Sequence, residues 1–159
     1  MTYDPPDPSA HPSTWAPDYV SSLKRAPREP LVRIPQTQTE ATGPTDWRRL
    51  MGRAVADLTK VHAGAPIGER IVVTGRVLEA GGRPVRETLV EIWQANSAGR
   101  YLHPVDQHDA PLDPNFTGVG RMITDDEGRY RFYTIEPGAY PWRNHRNAWR
   151  PKHIHFFVA

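Results

Sequence analysis

Two histidines one residue apart, His153 and His155, follow Tyr140 by thirteen and fifteen positions. In an extended strand alternate side chains share a face, so both imidazoles can address one ion. Imidazole alone suits zinc, copper, iron or nickel. A phenolate is a harder, anionic donor that favours a trivalent ion, so imidazoles joined by phenolates point to ferric iron over zinc. Arg150 lies three residues before His153 and precedes Pro151, which biases it to extended backbone, near such an ion but not a ligand of it. Each residue also has a plainer reading. A tyrosine in a β-protein packs its ring and hydrogen-bonds its hydroxyl. A histidine is commonly a satisfied surface or core group, and an arginine commonly makes an ion pair.

Strands and turns must hold these residues in place. Apolar, β-branched Ile71 to Leu78 is followed by a turn at Ala80-Gly81-Gly82-Arg83, and Thr88 to Gln94 alternates in character. Arg121–Thr124 and Arg129–Thr134 flank a second turn, Asp125 to Gly128, and Lys152 to Val158 is the last strand. Short strands at this density predict a mostly β, prealbumin-like sandwich over residues 67–159. Residues 1–66 hold ten of the 17 prolines and read as an extended arm lying over a body or a neighbouring subunit. One helix is expected, Asp46 to Lys60, where Trp47, Leu50, Met51, Ala54, Val55 and Leu58 recur at helical spacing after a capping Thr45. Gly52 weakens it. The same sandwich pattern serves non-enzymatic binding modules, in which Tyr140, after Pro137-Gly138, is a structural corner tyrosine.

The 159 residues suffice for one domain with a core. Without cysteine there is neither a disulfide scaffold nor a thiolate metal site. No apolar run is long enough to span a bilayer, and the Pro- and Asp-rich start is unlike a secretory signal, so a cytoplasmic location is expected. The net charge of +2 comes from scattered arginines and fits a small anionic substrate better than nucleic acid.

Several ordered motifs go further: Pro17-Asp18-Tyr19, Ile34-Pro35-Gln36, Glu91-Ile92-Trp93-Gln94-Ala95-Asn96, Gly99-Arg100-Tyr101, Ala110 to Phe116, Trp142-Arg143-Asn144 and Trp149-Arg150-Pro151-Lys152-His153-Ile154-His155-Phe156. Together they resemble the intradiol ring-cleaving dioxygenases, and within that family the protocatechuate 3,4-dioxygenase beta chains. The likeness is weakest from Asp46 to Gly64. The resemblance implies a non-haem Fe(III) centre held by Tyr101, Tyr140, His153 and His155. It places Arg150 beside the iron, where it steadies charge on the substrate ring. Trp93 and Trp142 become pocket walls, and Tyr19 lies near a substrate carboxylate. It leaves His103 and His108 as loop residues and His11, His62 and His145 at the surface.

The implied reaction opens protocatechuate (3,4-dihydroxybenzoate) with O2 to 3-carboxy-cis,cis-muconate, a step of aromatic catabolism toward β-ketoadipate. Tyr140 leaves the metal and takes a phenolic proton. The family works as a hetero-oligomer, so a homologous alpha chain is the implied partner. It also continues for several strands beyond the position of Ala159, which implies a sandwich truncated at its C-terminus with an exposed edge. His145-Arg146, Ala148 and Lys152 depart from the family pattern and change the charge at the pocket mouth. Two other readings stand beside this one. The first is a catechol or hydroxyquinol intradiol enzyme, against which the Pro-rich arm argues. The second is a non-enzymatic or inactive truncated sandwich module.

Overall fold

A computed structural model describes residues 15–20, 22, 26–29, 32, 34, 35, 37, 52–142 and 145–159. Seven strands are present among them: β1 Arg70–Arg76, β2 Leu89–Trp93, β3 Val119–Ile123, β4 Arg129–Ile135, β5 Tyr140–Pro141, β6 Trp149–Arg150 and β7 His155–Val158. All the pairings between them are antiparallel. β1 pairs with β4, β2 lies between β3 and β7, and β5 pairs with β6.

The two larger sheets bury their facing residues against each other. Val90 and Ile92 of β2 and Met122 of β3 meet Phe132 and Ile135 of β4, with Leu58 and Phe116 completing the core. Phe156 of β7 packs against Phe132 with ring centroids 6.0 Å apart. This is the sandwich-like, mostly β architecture that the strand pattern predicts.

Both expected turns form. Asp125 Oδ1 accepts from the amides of Glu127 and Arg129, closing the β3–β4 hairpin. Around residues 80–83, Gly82 donates to the Glu79 carbonyl and Glu79 to that of Arg83.

The expected helix is corrected over its described part. Residues 46–51 and Thr45 lie outside the described residues. From 52 onward the only helical turn is a 3-10 turn, Leu58–Lys60, capped by the Asp57 carboxylate. Gly52 has φ +59. Val55 forms an antiparallel bridge to Arg121 and Asp57 a parallel bridge to Tyr133. Sheet edges supply partners for this backbone that a helix would have to forgo, and the periodic apolar residue Leu58 reaches the core from a non-helical segment.

Candidate metal centre

The donors are delivered by strand register. Tyr140 of β5 stands directly opposite Arg150 of β6. His155 of β7 stands opposite Trp93 of β2, and the two rings stack with centroids 4.8 Å apart and planes 5° apart. Ile154 points the other way and packs on the core, so His153 and His155 share a face as the alternation predicts. The regular strand starts only at His155, later than the expected Lys152.

The polar atoms of this face converge. His153 Nε2 lies 3.2 Å from His155 Nε2 and 3.2 Å from Tyr140 Oη. The Tyr101 ring meets the Tyr140 ring edge-on with centroids 5.3 Å apart. His153 Nδ1 lies 2.6 Å from the Pro151 carbonyl, which can only accept, so Nδ1 carries the hydrogen. Nε2 is then the atom turned toward the cluster, as in metal-bound imidazoles oriented by a second partner. Burial, together with the charges of His153 and Arg150, lowers the His155 pKa and favours its neutral, metal-binding form.

Tyr101 Oη is buried and makes no hydrogen bond of normal geometry, although the Tyr140 hydroxyl is close enough to interact with it. Burial pushes its phenol well above the ordinary value, and the adjoining Tyr140 phenol adds to the shift. A buried hydroxyl left unpaired costs free energy, and beside a second phenol that itself contacts an imidazole it has the surroundings of a metal donor. Among the described residues no three His, Asp or Glu side chains form a metal-holding group. A cation here would draw on the phenols as well as the imidazoles. That donor set fits a ferric ion better than zinc.

Arg150 Nη1 donates to Tyr140 Oη at 3.0 Å, and its guanidinium lies 5.3 Å from the Trp142 ring centre. Trp142 is half-buried. Trp93 is 41% exposed and buttresses His155 from outside the core. Tyr19 is 45% exposed, and its turn is closed by its own neighbours, Ala16 and Ser22. No described contact joins Tyr19 to the Tyr–His cluster. His103 caps its own loop by accepting from the Val105 amide, and His108 packs edge-on against Trp149. His62 and His145 are exposed, while His11, Arg143 and Asn144 lie outside the described residues.

One contributor escaped the sequence reading. The Asp106 carboxylate accepts from the amides of Tyr101 at 2.8 Å and His108 at 2.9 Å, with Arg100 Nε 3.9 Å away. Burial alone would raise its pKa, but those amides and the neighbouring cations outweigh it and hold the carboxyl below its ordinary value. The only signal in the sequence is an aspartate in a polar loop, which does not say which amides it will accept from.

Comparison with known proteins identifies the family. A dioxygenase family model matches residues 41–159, and a model of the protocatechuate 3,4-dioxygenase beta subunit N-terminus matches residues 4–37. The chain is 60% identical over 154 residues to the protocatechuate 3,4-dioxygenase beta chain of Burkholderia cepacia, covering 96% of this chain and 66% of that one. It is 30% identical over 118 residues to the protocatechuate 3,4-dioxygenase alpha chain of Pseudomonas putida, covering 69% of this chain and 56% of that one. The solved hydroxyquinol 1,2-dioxygenase of Pseudomonas putida DLL-E4 superposes with TM-score 0.51 at 27% identity, over 67% of this chain and 38% of that one. The chain thus spans no more than about two thirds of the length of these relatives. On the matched family models, the sandwich and the long relative in common with it, the chain belongs to the intradiol dioxygenase family.

Proposed function

We propose that this chain is the iron-holding subunit of a protocatechuate 3,4-dioxygenase. It would open 3,4-dihydroxybenzoate with O2 between the two hydroxylated carbons, placing both oxygen atoms in the muconate product. The observation that carries the reading is the convergence of Tyr140, His153 and His155 beside the Tyr101 ring, whose hydroxyl is buried and unpaired. Tyr101, Tyr140, His153 and His155 would hold a non-haem Fe(III). The chemistry that a ferric ion supplies there is electron withdrawal from a chelated catecholate, which opens a ring carbon to dioxygen.

The chain's own residues do the rest. Tyr140, as the phenolate that a bound ferric ion would favour, would accept a proton from a substrate hydroxyl, and Arg150, which donates to Tyr140 Oη, would steady the negative charge left on the substrate oxygen. Trp142 and Trp93 shield the site from water, and the stack of Trp93 on His155 keeps that ring in line. Tyr19 is a candidate for the substrate carboxylate, delivered by the arm of residues 1–66, whose end Leu58 anchors in the 67–159 core.

The likeness to an alpha chain supports a homologous alpha partner. The match of a beta-subunit N-terminal model to residues 4–37 favours protocatechuate over catechol or hydroxyquinol. We place the assembly in the cytoplasm; no helix among the described residues is long and apolar enough to cross a membrane.

Co-expression with the alpha chain in iron-replete medium tests the reading. The expected product is a red-brown complex with one iron per copy of this chain that consumes O2 when protocatechuate is added. A colourless, iron-free complex overturns it, and a fully active lone chain in sedimentation overturns the partnership.

A further inference from the structure

Tyr101 lies in a loop and Tyr140 opens β5, and one buried residue ties together the loops that lead into both. Asn96 is 4% exposed. Its Oδ1 accepts from the amides of Ala98 at 3.0 Å and Arg100 at 2.9 Å, and its Nδ2 donates to the Pro111 carbonyl at 2.9 Å. Its main chain is as fully engaged. The Asn96 carbonyl accepts from Gly99 at 3.0 Å and from Gly138 at 2.8 Å, and its amide donates to the Arg100 carbonyl at 2.9 Å. One residue therefore closes the turn that leads into Tyr101 and holds the backbone two residues before Tyr140.

Between these loops there is no side chain to yield. A Cβ on Gly99, at φ +79, would lie 2.0 Å from the Ala139 carbonyl oxygen, and one on Gly138 would lie 2.4 Å from the Gly99 amide nitrogen. The two backbones are in direct contact, so a shift in one loop is passed to the other.

We propose that Asn96 is a positioning residue that sets the separation of the Tyr101 and Tyr140 phenols, and so decides whether both reach one ion. It sits behind the donors, bonded to the backbone. Asparagine suits the place because one oxygen offers two acceptor sites while the adjoining nitrogen donates. Alanine would leave two amides and a carbonyl without their partner. The inference rests on reading the two tyrosines as metal donors, and the test separates it from that reading.

The test compares Asn96→Ala, Asn96→Ser and Asn96→Asp with Val90→Ala, a core variant remote from the loops. Two quantities are read: the ring-to-ring nuclear Overhauser contact of Tyr101 and Tyr140 in metal-free protein with labelled tyrosines, and iron affinity by chelator competition with the visible absorption per bound iron. Asn96→Ala is expected to lose the ring contact, to bind iron about 10–100-fold more weakly, and to absorb less per iron as one phenolate drops away. Asn96→Asp keeps both acceptor sites but turns an oxygen toward the Pro111 carbonyl, so it is expected to lose less of the ring contact than alanine. Asn96→Ser, too short to span both amides, reads the same loss if the alanine variant does not fold.

An unchanged ring contact in both Asn96→Ala and Asn96→Ser overturns the proposal. So does an equal loss in Val90→Ala, which would make the effect one of general stability. A wild-type protein with the ring contact but no iron and no colour overturns the metal reading, and the ring contact alone then judges Asn96.

Discussion

Arg150 combines three contacts that lysine cannot reproduce together: a hydrogen bond to Tyr140 Oη, a place over the Trp142 ring, and a charge beside His155. Arg150→Lys in the assembled enzyme should keep iron and colour yet slow ring cleavage by about ten- to a thousandfold, or roughly 1.4–4 kcal/mol of barrier. Iron content measured beside steady-state turnover decides it, because joint loss of both would make Arg150 a structural residue. Tyr101 offers a sharper contrast. Its hydroxyl is buried without a hydrogen bond of normal geometry, so Tyr101→Phe should make the metal-free protein as stable as wild type or more so, by up to about 1–3 kcal/mol. With iron present the order should reverse, since only the tyrosine gains from binding. Thermal melts with and without iron check this, and a variant destabilised in both states would count against a donor role.

At the scale of elements, cross-strand register does the positioning. A one-residue slip of β7 would turn His155 toward the core and Ile154 toward the site, and the pairing of His155 with Trp93 opposes it. The Asn96–Gly99 turn and the Gly138 loop depend on close backbone approach. Gly99→Ala combines a positive φ with a Cβ placed against the Ala139 carbonyl. It should destabilise the fold by more than about 1–3 kcal/mol, the usual range for a non-glycine residue held in such a conformation. Denaturant melting of the variant beside wild type measures it, and a change within about 0.5 kcal/mol would show that the loops part easily.

Over the whole molecule, stability should fall in acid. Asp57 is the clearest source. Burial tends to raise its pKa, but hydrogen bonds from the Thr59 hydroxyl and amide and the charges of Arg70 and Lys60 prevail and lower it. Asp106 is lowered as well. A carboxyl whose folded pKa lies below its unfolded value stabilises the fold above the unfolded value, near 3.8. That contribution is lost as pH falls through the folded value. Melting temperature should therefore decline below about pH 4, and Asp57→Asn should be less stable at neutral pH with a flatter acid limb. An identical acid slope in the variant would locate the sensitivity elsewhere.

The fold class was readable in the sequence, and the family resemblance named the proposed donor set. Strand alternation and turn residues are local signals, so the hairpin at Asp125–Gly128 and the shared face of His153 and His155 were legible from neighbours alone. The motifs around Tyr101, Tyr140 and Arg150 carried the family resemblance. Tertiary structure decided what depends on residues distant in the chain. Leu58 enters the core from a 3-10 turn because Val55 and Asp57 find sheet partners at Arg121 and Tyr133, and helical spacing cannot anticipate those bridges. Tyr101 and Tyr140 meet because the Asn96 carbonyl accepts from Gly99 and Gly138 at once, a contact between loops some forty residues apart. Local propensity is set by the side chain and its near neighbours, whereas such contacts exist only when the sheets have closed around them.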